Sequence, residues 1–314
     1  MTTNDSNSIS ETPEYKEALT SQAQAIHLCM RLGYTLLSPA EADELRDGRT
    51  SDVLLRKVTR RFLQKHGTYH MRSRVYNFSA AEIERGLDIL RSVDDTAGLA
   101  HANQKKYEHI CFPPAITVRV DGQERGFAMP VVDFDNPENN EFHAVPEFVV
   151  QRAGSTDTCR LDLVLFVNGI PFGVLECKRS GIEQPMREAI TQLRRYQEPG
   201  AIEQLFVYAQ LLGACSVTEA KYGTTGLQTE FWAAWTKEVD PAIEAAVKAA
   251  IESPLSVDEA SKVVGCLRMT GLESATARAK AIEAARTRGA TPTAQDKMLA
   301  SVFSTRRLLD LVRH

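Results

Sequence analysis

The sequence predicts an α/β domain followed by a mainly helical region, on three observations. Two long apolar runs rich in strand formers, Arg160–Val167 and Phe172–Lys178, flank Asn168-Gly169-Ile170-Pro171. Apolar residues recur at helical spacing on both sides of these runs, at Leu19, Ile26 and Met30 and again at Met186, Ile190 and Leu193. Beyond Trp235 the chain becomes rich in Ala, Glu, Lys and Arg and loses strand patterning.

Taken in order, residues 1–15 are polar and read as a flexible N-terminus. A helix is predicted over Lys16–Leu32 with Gly33 as its C-cap. Ser38-Pro39-Ala40-Glu41 opens another, with an N-cap, a proline in the first turn and an acid near the positive helix end. Helices follow near 51–65 and 79–95, the second opening on Ser79 with Glu82 at capping-box spacing. Strands are predicted at Ala115–Val120, Gly126–Val132 and Val145–Gln151, with a turn at Asp121-Gly122 and a loop over Asp133–Asn140. After the two long runs comes a helix over Gln184–Gln197, stopped by Pro199-Gly200, and then a buried strand over Gln204–Gln210. The division expected is 1–15, a domain over 16–236, and a helical connector of three or four helices over 237–314.

Composition narrows the function. The 314 residues carry 37 Lys+Arg against 41 Asp+Glu, a net charge of -4. That excludes a strongly basic nucleic-acid coat but not a local basic groove. No apolar run is long enough to cross a membrane, and the polar N-terminus is no signal peptide. The cysteines Cys29, Cys111, Cys159, Cys177, Cys215 and Cys266 lack paired spacing, which argues against a zinc site or disulfide framework and for a reducing cytoplasm.

The most informative segment is Arg160–Lys178, where Asp162, Glu176 and Lys178 interrupt apolar strands. Charges in such a setting cost several kcal/mol unless they are paired or bind a metal. Glu176 and Lys178 lie two apart and point to one sheet face. With a second carboxylate on the neighbouring strand, the set suits a divalent cation on oxygen ligands, beside a lysine that can act on water. A buried ion pair of Lys178 with Asp162 or Glu176 satisfies the same pattern. Register decides whether the acids meet. A regular two-residue Asn168-Gly169 turn sets Asp162 opposite Leu175 and Glu176 opposite Leu161, on different faces. A shared cation therefore requires a three- or five-residue connection, a bulge, or a sharp bend near Asp162.

These residues resemble the PD-(D/E)xK nuclease motif, with Leu161-Asp162 in place of Pro-Asp. Arg160–Ser180 is more closely similar to the N-terminal nuclease region of the R subunit of type I restriction enzymes. Asn136-Pro137-Glu138-Asn139-Asn140, Phe142-His143, Leu205–Leu212, Glu219–Gly226, Phe231-Trp232 and Arg306–Leu311 extend the likeness over residues 16 to 314. The resemblance implies a restriction-endonuclease-like mixed sheet flanked by helices and Mg2+-dependent cleavage of double-stranded DNA, with Mn2+ able to substitute. It also implies assembly with methyltransferase and specificity subunits. Asp162, Glu176 and the Cys177 carbonyl would hold the metal, and Lys178 would act on the water. Gln192 and Tyr196 resemble the Gln-xxx-Tyr motif of RecB-like members. Many nucleases of this fold carry a Glu on the first helix; here the aligned residue is Gln22, with Glu17 earlier.

Arg179, Arg187, Arg194 and Arg195 are candidate phosphate contacts, or a solvated helix face. His143 reads as a loop or capping residue. Tyr222-Gly223-Thr224-Thr225-Gly226 reads as a turn, and Trp232 and Trp235 as anchors of the core or its junction with the helical region. No GxxxxGK[ST] sequence is present, so ATP belongs to a motor outside this chain. Two further readings stay open: a non-catalytic docking or DNA-binding module of the same subunit, and a stand-alone repair-type nuclease.

Overall fold

The computed structural model describes residues 18–92, 97–179, 181–234, 241–269, 272, 274–289 and 291–314. A π-helical turn at Ala18–Gln22 runs into helix α1, Ala23–Arg31, and Gly33 follows with a φ of 99°. Strand β1 is Thr35–Leu36 and helix α2 is Pro39–Leu45. The expected capping box closes α2: the Ser38 N–H donates to Glu41 Oε2 and the Glu41 N–H to Ser38 Oγ. Helix α3, Arg56–His66, precedes a hairpin of β2, Thr68–Met71, and β3, Arg74–Asn77. Helix α4, Ala80–Arg91, opens on the Ser79 capping box, and α5 is Leu99–Cys111. A second hairpin pairs β4, Ala115–Val120, with β5, Gln123–Ala128, across the Asp121-Gly122 turn. This strand ends earlier than expected, just before Met129-Pro130, where the proline has no N–H for a ladder.

The main sheet holds β1, β6 (Phe142–Gln151), β7 (Thr158–Val167), β8 (Ile170–Cys177), β9 (Leu211–Cys215), β10 (Ala220–Gly223) and β11 (Ala233–Ala234), in that spatial order. It is mixed: β1 runs parallel to β6 and β8 to β9, and the other pairs are antiparallel. Every residue of β8 is buried, as expected of a strand covered on both faces. Helix α6, Pro185–Tyr196, carries the chain from β8 to its parallel neighbour β9.

The apolar stretch over Gln204–Gln210 is not the predicted strand. It contains a short helix α7, Glu203–Phe206, and a turn, and the strand begins only at Leu211. Its carbonyls at Phe206, Val207 and Ala209 accept from Asn103 Nδ2, and those at Phe206 and Ala209 also from Thr225 Oγ1, leaving them no role in a ladder. A short buried apolar run reads alike as helix or strand by periodicity.

The C-terminal region holds five helices among the described residues, more than the three or four expected: α8 (Pro241–Glu252), α9 (Val257–Cys266), α10 (Ala275–Arg286), α11 (Ala294–Met298) and α12 (Thr305–Arg313), with a π-helical turn at Leu299–Phe303. These helices pack on the sheet domain. Phe303 lies against Gly173 and Gly213, where an added Cβ would stand only 3.2–3.3 Å from its ring. Tyr34 Oη donates to the Phe303 carbonyl at 2.6 Å, and Arg31 binds Glu259. All six cysteines are free.

Candidate active site

The β7–β8 connection resolves the register question. Asn168 and Gly169, with φ of 49° and 81°, form a two-residue turn of the type that matches strand twist. Asn168 is fully buried: its amide donates to the Val131 carbonyl and to Asn140 Oδ1, and its Oδ1 accepts from the Glu141 N–H. Val167 pairs with Ile170 and Phe166 with Pro171, but Leu165 then pairs with Gly173. Phe172 is the extra residue of a bulge. The shift continues to Leu163 opposite Leu175, and one residue further the same register sets Asp162 against Glu176, whose carboxyl feels the Asp162 charge. The bulge is thus one of the devices that a shared site requires.

Glu176 is 1% exposed and Lys178 5%. Lys178 Nζ donates to Glu176 Oε1 at 2.8 Å and to Gln192 Oε1 at 2.9 Å. The Gln192 amide donates to Tyr196 Oη at 2.9 Å, and Tyr196 Oη donates to the Arg160 carbonyl at 2.8 Å. One line of hydrogen bonds therefore ties the lysine through α6 to β7. Asp162 Oδ2 accepts the Cys177 N–H at 2.7 Å, so the Cys177 peptide stands against this carboxylate.

Glu176 Oε2 is buried and has no hydrogen-bond donor among the described residues. Burial, and then the neighbouring Asp162 charge, push the Glu176 carboxyl well above the ordinary carboxylate range, and Lys178 only partly opposes this. Burial and the Glu176 charge also raise the Tyr196 phenol, to about 12, so it stays a donor at neutral pH. The Lys178 ammonium binds Glu176 and lies 3.8 Å from Glu188, while Asp162 stands beside Glu176. The buried donor-free oxygen facing a second carboxylate fits a hard divalent cation. Among the described residues no three His, Cys, Asp or Glu side chains gather to hold a metal by themselves, so a cation would need backbone oxygen or water beside these two acids.

A third acid, Glu147, was not legible in the sequence. It stands on β6 between the pairs Pro146–Leu163 and Phe148–Leu161, hence across from Asp162 on the side away from Glu176. Its φ of 53° interrupts the ladder, a conformation costing about 1–2 kcal/mol for an L-residue. Burial raises its carboxyl, against the pull of Arg160 and a hydrogen bond from Gln22. Gln22 is buried beside it, and Glu17 lies outside the described residues. The only signal for Glu147 was a charge following a proline inside an apolar strand. A cleft of about 440 Å³ is lined by Gln22, Glu147, Arg160, Asp162, Tyr196 and Arg268, among others.

On the other side of the Gln192–Tyr196 pair lies a groove of about 500 Å³ that includes Glu183, Arg187, Glu188, Gln192 and Arg195. Arg187 donates to Gln184, while Arg194 turns to Gln228 and Thr229. Arg179 follows Lys178 at the end of β8. His143 is buried in β6, 3.9 Å from Glu141, and burial lowers its pKa. The segment Tyr222–Gly226 closes β10 and a turn, with Thr225 bonded to carbonyls. Trp232 packs on Gly223, and Trp235 lies outside the described residues.

A mixed sheet carrying facing acids and a lysine at the end of its central strands, with helices around it, is a nuclease-like α/β architecture with a helical C-terminal region. The chain belongs to the family described as type I restriction enzyme R protein N terminus, whose model matches residues 14–231. It is also 29% identical over 119 residues to a putative type I restriction enzyme MjaIXP endonuclease subunit of Methanocaldococcus jannaschii. That match takes in 38% of this chain and only 11% of the archaeal protein.

Proposed function

We propose that this chain is the DNA endonuclease part of a type I restriction R subunit and hydrolyses phosphodiesters of double-stranded DNA. Asp162, Glu176 and the Cys177 carbonyl would hold Mg2+ or Mn2+. Such a cation, when bound, polarises a phosphate oxygen and lowers the pKa of a coordinated water. The chain's own residues do the rest. Lys178 presents an ammonium to the reacting water or to developing charge on phosphate. Gln192 fixes that ammonium, and Tyr196 fixes Gln192 against β7. Arg179, Arg187, Arg194 and Arg195 would meet backbone phosphates along α6 and the end of β8.

The observation that carries this reading is the buried Glu176 carboxylate beside Asp162, its Oε2 without a hydrogen-bond donor among the described residues. A structural ion pair needs one carboxylate for one lysine. Here a bulge brings a second acid into register beside the first, a buried excess of negative charge that a proton or a cation would offset.

In the whole enzyme, residues 16–236 would form the nuclease unit and 237–314 the connector to an ATP-driven motor. Methyltransferase and specificity subunits would choose the DNA site, in the cytoplasm. A second reading, a non-catalytic docking module, draws on Lys178 being already satisfied by Glu176 and Gln192. A plasmid-nicking assay in Mg2+ or Mn2+ separates them. Cutting by the wild type that is lost in Asp162→Ala, Glu176→Ala and Lys178→Ala supports the nuclease. Equal cutting by all four removes the proposed site.

A further inference from the structure

We propose that Arg160 and Arg268 form a phosphate clamp over the carboxylate cleft, and that the helical C-terminal region thereby supplies part of the DNA-binding site. The kind of anion rests on the nuclease reading; the clamp itself rests on placement. Arg160 lies two residues before Asp162 on β7 and so shares its face. Arg268 follows α9, beyond the residues that the family model matches, yet it lines the same cleft as Asp162 and Glu147. Both arginines are exposed at the mouth of a cleft whose other charged members are acids.

An acidic cleft repels a polyanion unless cations at its rim offset the repulsion. Arg160 is held to Glu147 at 3.4 Å with its side chain 42% exposed. Glu147 is only 13% exposed, but among the described residues only Nη1 of Arg160 reaches it, so the other guanidinium N–H groups remain for a phosphate. Arg268 acts on Glu147 through its charge, and no ion pair holds it to a carboxylate among the described residues. The Tyr196 hydroxyl anchors the Arg160 carbonyl, so the backbone that carries this arginine is tied to the same hydrogen-bond line as Lys178. A planar guanidinium suits the two free oxygens of a phosphodiester.

The test is DNA binding by the full chain to a short duplex, followed by fluorescence anisotropy over a range of NaCl, with Ca2+ replacing Mg2+. Arg160→Ala, Arg268→Ala, Arg268→Lys and Arg119→Ala (on the separate β4–β5 hairpin) are compared at matched thermal stability. The expected result is a fall of about 0.9 in the slope of log K against log salt for each of Arg160→Ala and Arg268→Ala. Arg268→Lys should keep the wild-type slope, and so should Arg119→Ala. A wild-type slope in Arg268→Ala, the same fall in Arg119→Ala, or no binding by the wild type at low salt overturns the clamp. The two ideas fail separately. Mg2+-dependent cutting that needs Asp162 but not Arg268 removes the clamp alone. A slope loss without any cutting removes the nuclease reading and leaves a phosphate site.

Discussion

Lys178→Ala tests whether the buried charges are arranged as described. Its ammonium is the cation held by Glu176, and the variant leaves that carboxylate 1% exposed beside Asp162. Removing one partner of a buried pair costs about 3–5 kcal/mol. The cost depends on pH. Burial and Asp162 already raise the folded-state pKa of Glu176. A carboxyl raised in this way makes its full contribution to stability below the unfolded value of about 4.3 and loses it as pH rises through the folded value. Loss of Lys178 raises the folded value further. The variant's loss should therefore be smaller near about pH 5 and grow as pH rises to about pH 8. A divalent cation should restore part of it, about 2.7 kcal/mol at a hundred times its Kd. Urea unfolding at both pH values, with and without Mg2+, provides the measurement. A loss under about 1 kcal/mol at pH 8 would refute the buried pair, and a full loss that Mg2+ leaves untouched would refute the cation site.

Three further predictions concern the scaffold. Gly169→Ala places a Cβ 2.5 Å from the Leu55 carbonyl at a φ of 81°, so a loss above about 1 kcal/mol is expected, read as a lower unfolding midpoint. Phe303→Ala empties the space over Gly173 and Gly213 and should cost about 3–5 kcal/mol in urea; a cost near zero would mean that the helical region does not hold the sheet. Burial lowers the Lys106 ammonium to about 8, so the fold penalises its charged form fully below that value and less as pH approaches the unfolded value of about 10.4. Wild type should gain stability relative to Lys106→Met between about pH 7 and about pH 10, and a pH-independent difference would contradict this.

Much of the site was legible because its residues follow the periods of the elements that carry them. Glu176 and Lys178 are two apart on a strand, and Gln192 and Tyr196 are four apart on a helix. The need for an irregularity between Asp162 and Glu176 also followed from counting residues across Asn168-Gly169. Its form as a bulge at Phe172 did not, since a longer loop satisfied the same count. Glu147 was missed because its place comes from a backbone reversal of φ, which one charge after Pro146 does not announce. Arg268 was missed because the docking of α9, not sequence spacing, brings it to the cleft that Asp162 lines. The β2–β3 hairpin was missed because its turn, Arg72-Ser73, has positive φ at both residues without the Asn or Gly that usually signals it. The run before Leu211 misled because apolar content alone does not separate a buried helix from a buried strand.

Mn2+ binding, followed by electron paramagnetic resonance of the free ion as protein is added, reads the cation site itself. The wild type should take up Mn2+, Asp162→Ala and Glu176→Gln should lose that uptake while staying folded, and Arg194→Ala should keep it. Equal Mn2+ uptake by all four proteins, or none by the wild type, would contradict the cation site.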